Sequence, residues 1–285
     1  MSKIWPHYTR ENPCPYCQKW GWTCRYSERA AICMRTPSSR PMKCGGWLHF
    51  FTDEKPRPII LPQRPVKQAA TIDFARLMAC FPVMRTEELA NELGVTQEAV
   101  NQMGAAWDGN RGAWAIPMRD GDGSIIGINL RYPDGSKKAI TGSRLGLFIP
   151  KPLVTLMEFG ETVKMSRDDL FIITEGASDV AALLTMGFSG AIGRPSCSYG
   201  GDMLKVALKR LGVGRVVIAG ENDSVKSNGL RPGIEGAMKL KRELGMASVC
   251  WLPPSPCKDV RDFIKRGGSA RMIRDSVNQK IWTKV

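Results

Sequence analysis

The sequence has no apolar run of the length that a membrane helix needs. No stretch approaches the roughly eighteen uninterrupted apolar residues that mark a transmembrane helix. A secretion signal is also lacking, because the residues from Met1 to Asn12 are polar and aromatic rather than basic and then apolar. These two absences argue against membrane insertion and secretion, and we expect a cytoplasmic protein with no membrane partner.

Internal repeats and low-complexity tracts are also absent, and acidic residues are in the minority. Lys and Arg total 41 against 27 Asp and Glu, which gives the 285-residue chain a formal charge of +14. This excess favours a polyanionic partner such as nucleic acid, although it says nothing about the fold. The hydrophobic fraction of 43% is sufficient for packed cores, and the length predicts two or three globular units.

Turn-forming residues divide the chain into segments of different character. Four prolines and no helical or alternating pattern occur between Asp53 and Lys67, as in an extended linker. Short helices are predicted at Ile72 to Phe81, at Thr86 to Leu93 and after an N-cap at Thr96. Three runs from Trp114 onward, broken by DGDG and PDGS turns, then predict antiparallel strands. From Leu170, apolar strands alternate with helical patterns, which predicts a mainly parallel sheet and an α/β fold. The predicted domains are 1–52, a linker at 53–70, a small α+β subdomain at 71–168 and a parallel-sheet subdomain at 169–285.

Nine cysteines, an odd number, are distributed unevenly along the chain. Cys14 and Cys17 form a Cys-Pro-Tyr-Cys knuckle, which directs two thiolates to one point, and Cys24 and Cys33 lie on either side of a predicted hairpin. Four sulfurs arranged in this way predict a tetrahedral zinc site in a zinc ribbon. The metal would supply much of the folding free energy of so small a unit.

The second cysteine pair is more widely spaced than in a regular ribbon. Eight residues separate Cys24 from Cys33, so Cys44 and His49 remain alternatives to Cys24 as a ligand. Basic and aromatic residues are interleaved with the cluster, a composition typical of surfaces that neutralise phosphates and stack the bases of a single strand. They are Lys19, Trp20, Trp22, Arg25, Tyr26, Arg29, Arg35 and Trp47. We expect the exposed Lys and Arg side chains to bind single-stranded DNA.

Carboxylates follow three of the predicted strands in the C-terminal part of the chain. Glu175 follows the strand FIIT, and Glu221 with Asp223 follows VVIAG, at the strand ends where α/β sheets bind ligands. Asp179 lies one helical turn after Glu175, and Asp259 follows the strand SVCWLP. Converging carboxylates repel one another unless a divalent cation lies among them, and their oxygens suit Mg²⁺ or Mn²⁺. The sequence therefore predicts a metal site for phosphoryl or nucleotidyl transfer.

These segments resemble the Toprim domain of bacterial DnaG-type primases, phage primase-helicases, topoisomerases and some nucleases. The matching segments are ITEGASD, GEND and KDVRD. The segment AIPMRDGDGSIIGINLR is similar to the part of DnaG-type primases that contributes basic residues to the catalytic groove, and those primases also have an N-terminal zinc ribbon. The resemblance extends from Cys14 to Phe263. It implies a DNA primase with a Rossmann-like Toprim subdomain, which uses Mg²⁺ or Mn²⁺ to join ribonucleoside triphosphates on a single-stranded DNA template.

The same resemblance implies roles for individual side chains. Metal-binding or catalytic acids are expected after the first two acid-bearing strands, accessory acids nearby, and basic residues that hold template or nucleotide phosphates in the preceding subdomain. The metal-binding or catalytic acids would be Glu175, Glu221 and Asp223. The accessory acids would be Asp179, Asp259 and Asp262. The residues that hold phosphates would be Arg119, Arg131 and Lys138.

The sequence departs from the family pattern at three points. The acid pair begins with Glu221 where the family usually has Asp, which lengthens one ligand arm but keeps its charge. A basic, glycine-rich insertion occupies Lys226 to Gly233. No Walker-type GxxxxGK[ST] motif follows, so we expect a separate replicative helicase as a partner. This abbreviated layout is typical of primases from phages, plasmids and integrated elements.

Three other functions are compatible with parts of the sequence. A Toprim topoisomerase needs a catalytic tyrosine in a further domain, and none of the five tyrosines is an evident candidate. A Toprim nuclease usually accompanies an ATPase, for which there is no motif. A non-catalytic, zinc-ribbon DNA-binding protein is the third alternative, and the presence of all three acidic clusters argues against it.

Overall fold

The computed structural model describes residues 5–42, 45–51, 72–166, 169–224, 231–280 and 282. The chain divides into two compact units, Met1–Ala69 and Ala70–Val285. The predicted linker at 53–70 lies outside the described residues. No helix in the described ranges combines the length and hydrophobicity that a membrane crossing requires.

The first unit contains a four-stranded antiparallel sheet. Its strands, in sheet order, are β1 (His7–Tyr8), β2 (Gly21–Tyr26), β3 (Ala30–Cys33) and β4 (Trp47–Phe50). The hairpin expected between Cys24 and Cys33 is formed by β2 and β3. Among the described residues, three of the five that form its buried core are cysteines, the others being Tyr8 and Ala31. A core with so little apolar surface contributes little stability, and a metal bound by its sulfurs would stabilise the unit.

The second unit begins with three short helices and an antiparallel sheet. The helices are α1 (Phe74–Ala79), α2 (Thr86–Leu93) and α3 (Gln97–Gln102). The sheet order is β5 (Ala106–Asp108), β6 (Ala113–Arg119), β7 (Ile125–Arg131) and β8 (Lys137–Ala139). Thr96 caps α3, as its sequence suggests, by accepting a hydrogen bond from the Ala99 amide at 3.3 Å. The three predicted strands are β6 to β8, whereas β5 and its pairing with β6 were not predicted.

A parallel sheet with helical crossovers completes the second unit, as predicted. Its strands are β9 (Ile172–Glu175), β10 (Ala191–Arg194), β11 (Arg215–Ala219) and β12 (Ala247–Trp251), and the sheet order is β10-β9-β11-β12. The helices are α4 (Lys151–Phe159), α5 (Gly176–Thr185), α6 (Gly201–Arg210), α7 (Pro232–Leu244), α8 (Val260–Lys265) and α9 (Ala270–Asn278). Because β9, β11 and β12 are neighbours, the three acid-bearing strand ends meet at one edge of the sheet.

Both faces of the parallel sheet are covered by apolar side chains. On one face, Ile172 belongs to a core that includes Val180 of α5 and Ile116 of β6. On the other face, Ile173 packs in a second core with Leu240 of α7. Because successive strand residues point to opposite faces and both faces are covered, the strands consist mainly of apolar residues. The first core also joins the antiparallel and parallel sheets, which brings basic residues of one toward acids of the other.

Candidate metal centres and active site

Four cysteine sulfurs converge in the first unit. The Sγ atoms of Cys14, Cys17, Cys24 and Cys33 all lie within 4.8 Å of one another. Within the described ranges, no other group of three or more potential ligands converges in this way. The Thr36 amide donates to Cys33 Sγ at 3.2 Å, and the Arg35 guanidinium donates to Cys24 Sγ at 3.7 Å. Such N–H donors orient thiolate ligands and stabilise their charge.

The ionisation of these thiols fits a metal site. Burial raises the pKa of Cys14 to about 12. Burial acts in the same direction on Cys33, but hydrogen bonds from Arg35 and Thr36 outweigh it and lower the pKa of Cys33 to about 7. A divalent cation among the sulfurs would keep all four deprotonated, and four thiolates in a closed site are a ligand set typical of structural zinc.

The alternative ligands proposed from the sequence lie elsewhere. The ring of His49 stacks on Tyr16 with centroids 3.9 Å apart, and its Nε2 atom is 3.0 Å from the Thr36 carbonyl oxygen. His49 therefore does not belong to the sulfur cluster. Cys44 is outside the described residues. The geometry favours Cys24 as the fourth ligand.

In the second unit, the two acids that follow β11 face the same space. The Lys258 ammonium lies 3.7 Å from Glu221 Oε2 and 4.0 Å from Asp223 Oδ1. One cation can thus contact both carboxylates, as the predicted alternation along the extended chain requires. The third predicted metal ligand, Glu175, ends the neighbouring strand β9.

Burial and the repulsion of neighbouring carboxylates disfavour the ionised forms of Glu175 and Glu221. Burial, followed by the charge of Glu221, raises the pKa of Glu175 to about 7. Burial likewise raises the pKa of Glu221, with Lys258 opposing it and Asp223 adding to it. A bound cation stabilises the ionised form of carboxylates that lie this close together. Groups with such pKa shifts are typical of functional sites.

Asp179 and Asp259 make backbone contacts at the start of α8. Asp179 is only 3% exposed, and its Oδ1 atom accepts a hydrogen bond from the Arg261 amide at 3.0 Å. Asp259 caps the helix by accepting from the Asp262 amide at 2.7 Å, and Asp262 accepts from the Lys258 amide at 2.9 Å. These contacts satisfy amides that have no partner within the helix. The three acids therefore position the segment that carries Lys258, and their role as accessory acids stays a prediction.

Asn222 ties the end of β11 to the loop after β12. Its amide donates to the Lys258 carbonyl oxygen at 2.7 Å. Its side-chain Nδ2 donates to the carbonyl oxygens of Pro253 at 2.6 Å and Cys257 at 2.8 Å. The residue between the two acids thus fixes their position relative to the third acidic segment. No pattern in the sequence indicates this role for Asn222.

Arg194 is a second site residue that no sequence pattern indicates. It ends β10, in register with Glu175 on β9, and its Nη2 atom lies 3.8 Å from Glu175 Oε1. Arg194 is 2% exposed and donates to the Cys197 carbonyl oxygen at 3.0 Å. Its Nε atom and Glu175 Oε1 are buried without a hydrogen-bond partner in the described part of the chain. The site therefore contains a buried guanidinium beside its central glutamate.

The three predicted phosphate-binding residues occupy different surroundings. Arg119 donates to the Gly123 carbonyl oxygen at 2.7 Å, and burial lowers its pKa. Arg131 is held by the Glu92 carboxylate through Nε at 3.1 Å and Nη2 at 2.6 Å. The Lys138 ammonium lies 5.9 Å from the centroid of the Tyr132 ring. These contacts do not bring the three cations together, and their phosphate-binding roles stay predictions.

Lys137, rather than Lys138, is electrostatically linked to the acids. It pairs with Arg131 across β7 and β8, and both residues line one cavity. Partial desolvation lowers the pKa of Lys137, and Arg131 and Arg261 lower it further. Asp179 and Glu221 act in the opposite direction. Because Lys137 and Lys138 are adjacent on a strand, their side chains point to opposite faces, and the sequence KK alone does not show which one faces the acids.

No protein-family model matches the chain, and no curated protein matches it. Comparison of folds finds 29 similar chains among solved structures. The DnaG catalytic core has 15% sequence identity and a TM-score of 0.52, over 71% of this chain and 78% of that chain. The DnaG primase catalytic domain bound to single-stranded DNA has 14% identity and a TM-score of 0.51, over 71% and 76% of the two chains.

A third similar structure comprises the zinc-binding and RNA polymerase domains of the Aquifex aeolicus primase. It has 15% identity and a TM-score of 0.53, over 72% of this chain and 59% of that chain. At this level of identity the comparison establishes architecture. The expected mixed α/β architecture with a parallel sheet and an N-terminal four-cysteine cluster is confirmed, and the chain has the fold of the DnaG primase catalytic core.

Proposed function

We propose that the protein is a DNA primase, which synthesises short RNA primers on single-stranded DNA by metal-dependent nucleotidyl transfer. The observation that carries this proposal is that Glu221 and Asp223 lie near one cation, Lys258, at the end of β11, beside the strand β9 that ends in Glu175, in the fold of a primase core. The nearby charge of Lys137 supplies the positive side of the cleft. Acids for metal and cations for phosphate are the two requirements of nucleotidyl transfer.

Mg²⁺ or Mn²⁺ would be held by Glu175, Glu221 and Asp223. Their hard oxygens and raised pKa values, the latter seen for both glutamates, fit such a cation. When bound, the ion neutralises charge on the triphosphate and on the attacking and leaving oxygens. The protein itself orients the reacting groups: Asp179 and Asp259 hold the start of α8.

The first unit is proposed to bind the template, with zinc held by the four cysteines. Exposed basic and aromatic side chains of this unit would bind the DNA, and one of them, Trp20, is 58% exposed. In this proposal, residues 1–52 select or hold single-stranded DNA, 71–168 supply phosphate-binding residues, and 169–285 form the Toprim catalytic subdomain. The ribonucleoside triphosphates bind at the acidic edge, and a separate helicase unwinds the duplex.

The direct test is synthesis by the pure protein. We would incubate it with single-stranded DNA, labelled ribonucleotides and Mg²⁺ or Mn²⁺, and separate the products by length. Glu221→Gln and Asp223→Asn are expected to reduce synthesis by at least about a hundredfold, because a lost metal ligand weakens charge stabilisation in the transition state. Both variants should keep the melting temperature and DNA affinity of the parent, since removing one of several crowded carboxylates relieves repulsion.

Asp202→Asn is the matched control, because this side chain is fully exposed on α6. It should synthesise at the rate of the parent. If Glu221→Gln and Asp223→Asn unfold, the acids are structural. If they synthesise normally, the catalytic centre lies elsewhere, and DNA cleavage in place of synthesis would indicate a Toprim nuclease.

A further inference from the structure

A cavity adjoins the acidic edge inside the second unit. Its volume is about 80 Å³, several times the roughly 10–15 Å³ that one water molecule requires. It lies between α2 and α3, the inner face of β6 and β7, and the first turns of α5. Its apolar walls include Leu93, Met103, Ile116, Phe148, Ala177 and Ala181. The cavity therefore offers apolar contact from several sides, as small-molecule sites do.

Four polar side chains also line this cavity: Asn129, Arg131, Lys137 and Ser178. In the described part of the chain, neither the Asn129 amide nor the Ser178 hydroxyl makes a side-chain hydrogen bond. Arg131, in contrast, is fixed by its two hydrogen bonds to Glu92. An apolar cavity with a few convergent polar groups is the usual form of a site that orients a planar ligand. The amide of Asn129 can both donate and accept, and so can the hydroxyl of Ser178.

The cavity is next to the proposed catalytic carboxylates. Gly176 and Ala177 line it and directly follow Glu175 in the chain. Lys137 lines it as well, and its charge interacts with those of Asp179 and Glu221. A ligand with phosphates at the acidic edge would thus place the group attached to those phosphates at the cavity. Nucleotides combine a phosphate chain with a planar, partly apolar ring.

We propose that this cavity is a nucleobase subsite. The ring packs between Ile116 and Ala181, Asn129 and Ser178 form hydrogen bonds with its edge, and Lys137 contacts the attached phosphate. The inference rests on the proposed function, because nucleotidyl transfer supplies ligands of this chemistry. Two ligands have this chemistry: the base of a ribonucleoside triphosphate and an unstacked base of the template strand.

The first arm of the test compares nucleotides with and without a base. Equilibrium binding of ATP, GTP, CTP, UTP and ribose 5-triphosphate to the full chain would be measured in Mg²⁺ without DNA. If a nucleotide is the occupant, at least one triphosphate should bind about tenfold or more tightly than ribose 5-triphosphate, a difference typical of a buried base with directed hydrogen bonds.

Two variants test whether this difference in affinity arises at the cavity. Ala181→Leu places extra methyl groups in the cavity, and Asn129→Leu removes the amide without depending on the same packing. Each should abolish the preference for a base while leaving ribose 5-triphosphate affinity unchanged. Asn91→Leu is the matched control, because Asn91 is exposed on α2, outside the cavity lining. It should bind every probe as the parent does.

The second arm uses single-stranded oligonucleotides that carry one abasic position each. If a template base is the occupant, affinity should fall at one position of the series, and Ala181→Leu or Asn129→Leu should remove that fall. The proposal is overturned if neither arm shows any dependence on a base, or if both variants retain it. A parent that shows base dependence but makes no primer refutes the proposed function and supports the subsite. A parent that makes primers but shows no dependence on a base supports the proposed function and refutes the subsite.

Discussion

Arg194 and Glu175 lie side by side at the ends of neighbouring parallel strands, with Arg194 Nη2 3.8 Å from Glu175 Oε1. Burial is the main cause of the raised pKa of Glu175, and the guanidinium acts against it. Because arginine keeps its charge in proteins, Arg194 is a permanent counter-charge for this carboxylate. It is buried and acts through Glu175, so we regard it as a positioning residue.

Replacing Arg194 should change the pH dependence of synthesis. In Arg194→Gln the pKa of Glu175 is expected to rise further above about 7, so the acidic limb of the kcat profile should move to higher pH. The rate at neutral pH should fall about tenfold. Arg194→Lys should restore much of the loss. An Arg194→Gln enzyme with the parent's rate and profile would exclude this role.

Glu175 should lower the stability of the metal-free protein at neutral pH. A carboxyl whose pKa rises from 4.5 unfolded to about 7 folded stabilises the fold below pH 4.5, and that stability is lost as pH rises through about 7. Glu175→Gln should therefore match the parent near pH 4.5 and be more stable above pH 7, by on the order of 1 kcal/mol after allowance for partial exposure. Denaturant unfolding in the presence of a chelator measures this. A variant that is less stable at pH 8 would show that the ionised carboxylate is structural.

The cysteine cluster predicts about one tightly bound zinc per chain. Cys24→Ser should lose most of the metal and lower the melting temperature of the first unit, because the sulfurs form much of its core. His49→Ala should retain its zinc, since His49 stacks on Tyr16 outside the cluster. Elemental analysis distinguishes the two variants. Zinc lost from His49→Ala and kept by Cys24→Ser would reverse the ligand assignment.

The two adjacent lysines of β8 should differ in function. Lys137→Ala is expected to weaken nucleotide and template binding about tenfold and to reduce the salt dependence of DNA affinity, because a phosphate contact is removed. Lys138→Ala should have a much smaller effect, since its ammonium lies near Tyr132 rather than near the acids. Affinities measured for both variants at two salt concentrations provide the check. Equal losses would mean that both lysines reach the phosphates.

Elements with a strong local pattern could be predicted from the sequence. The helix α2 has the predicted bounds, Thr86–Leu93, and β9 and β11 appear where apolar runs end in acids. The strand β10 was missed because its four residues, Ala191–Arg194, carry no acid and no alternation. The helices α4 and α6 were missed as well, and β5 has only three residues. Short elements are determined by tertiary pairing more than by local sequence.

The candidate site could also be predicted from the sequence only in part. Sequence patterns identified the acids at the ends of β9 and β11, and the structure brings Glu221 and Asp223 to a common cation. Arg194 could not be recognised, because its relation to Glu175 exists only through the pairing of β10 with β9. The choice between Lys137 and Lys138 likewise depends on the register of β8.

Asn222 gives the acidic edge a mechanical property. Its three hydrogen bonds join the end of β11 to the loop that carries Lys258, and so restrain two separate stretches of chain against each other. Mg²⁺ demands nearly ideal octahedral geometry, whereas a more tolerant ion can bind to ligands that shift. The uncharged residue between the acids would in this way determine which ion they select: a chain loosened at this position would be expected to lose activity with Mg²⁺ before it loses activity with Mn²⁺.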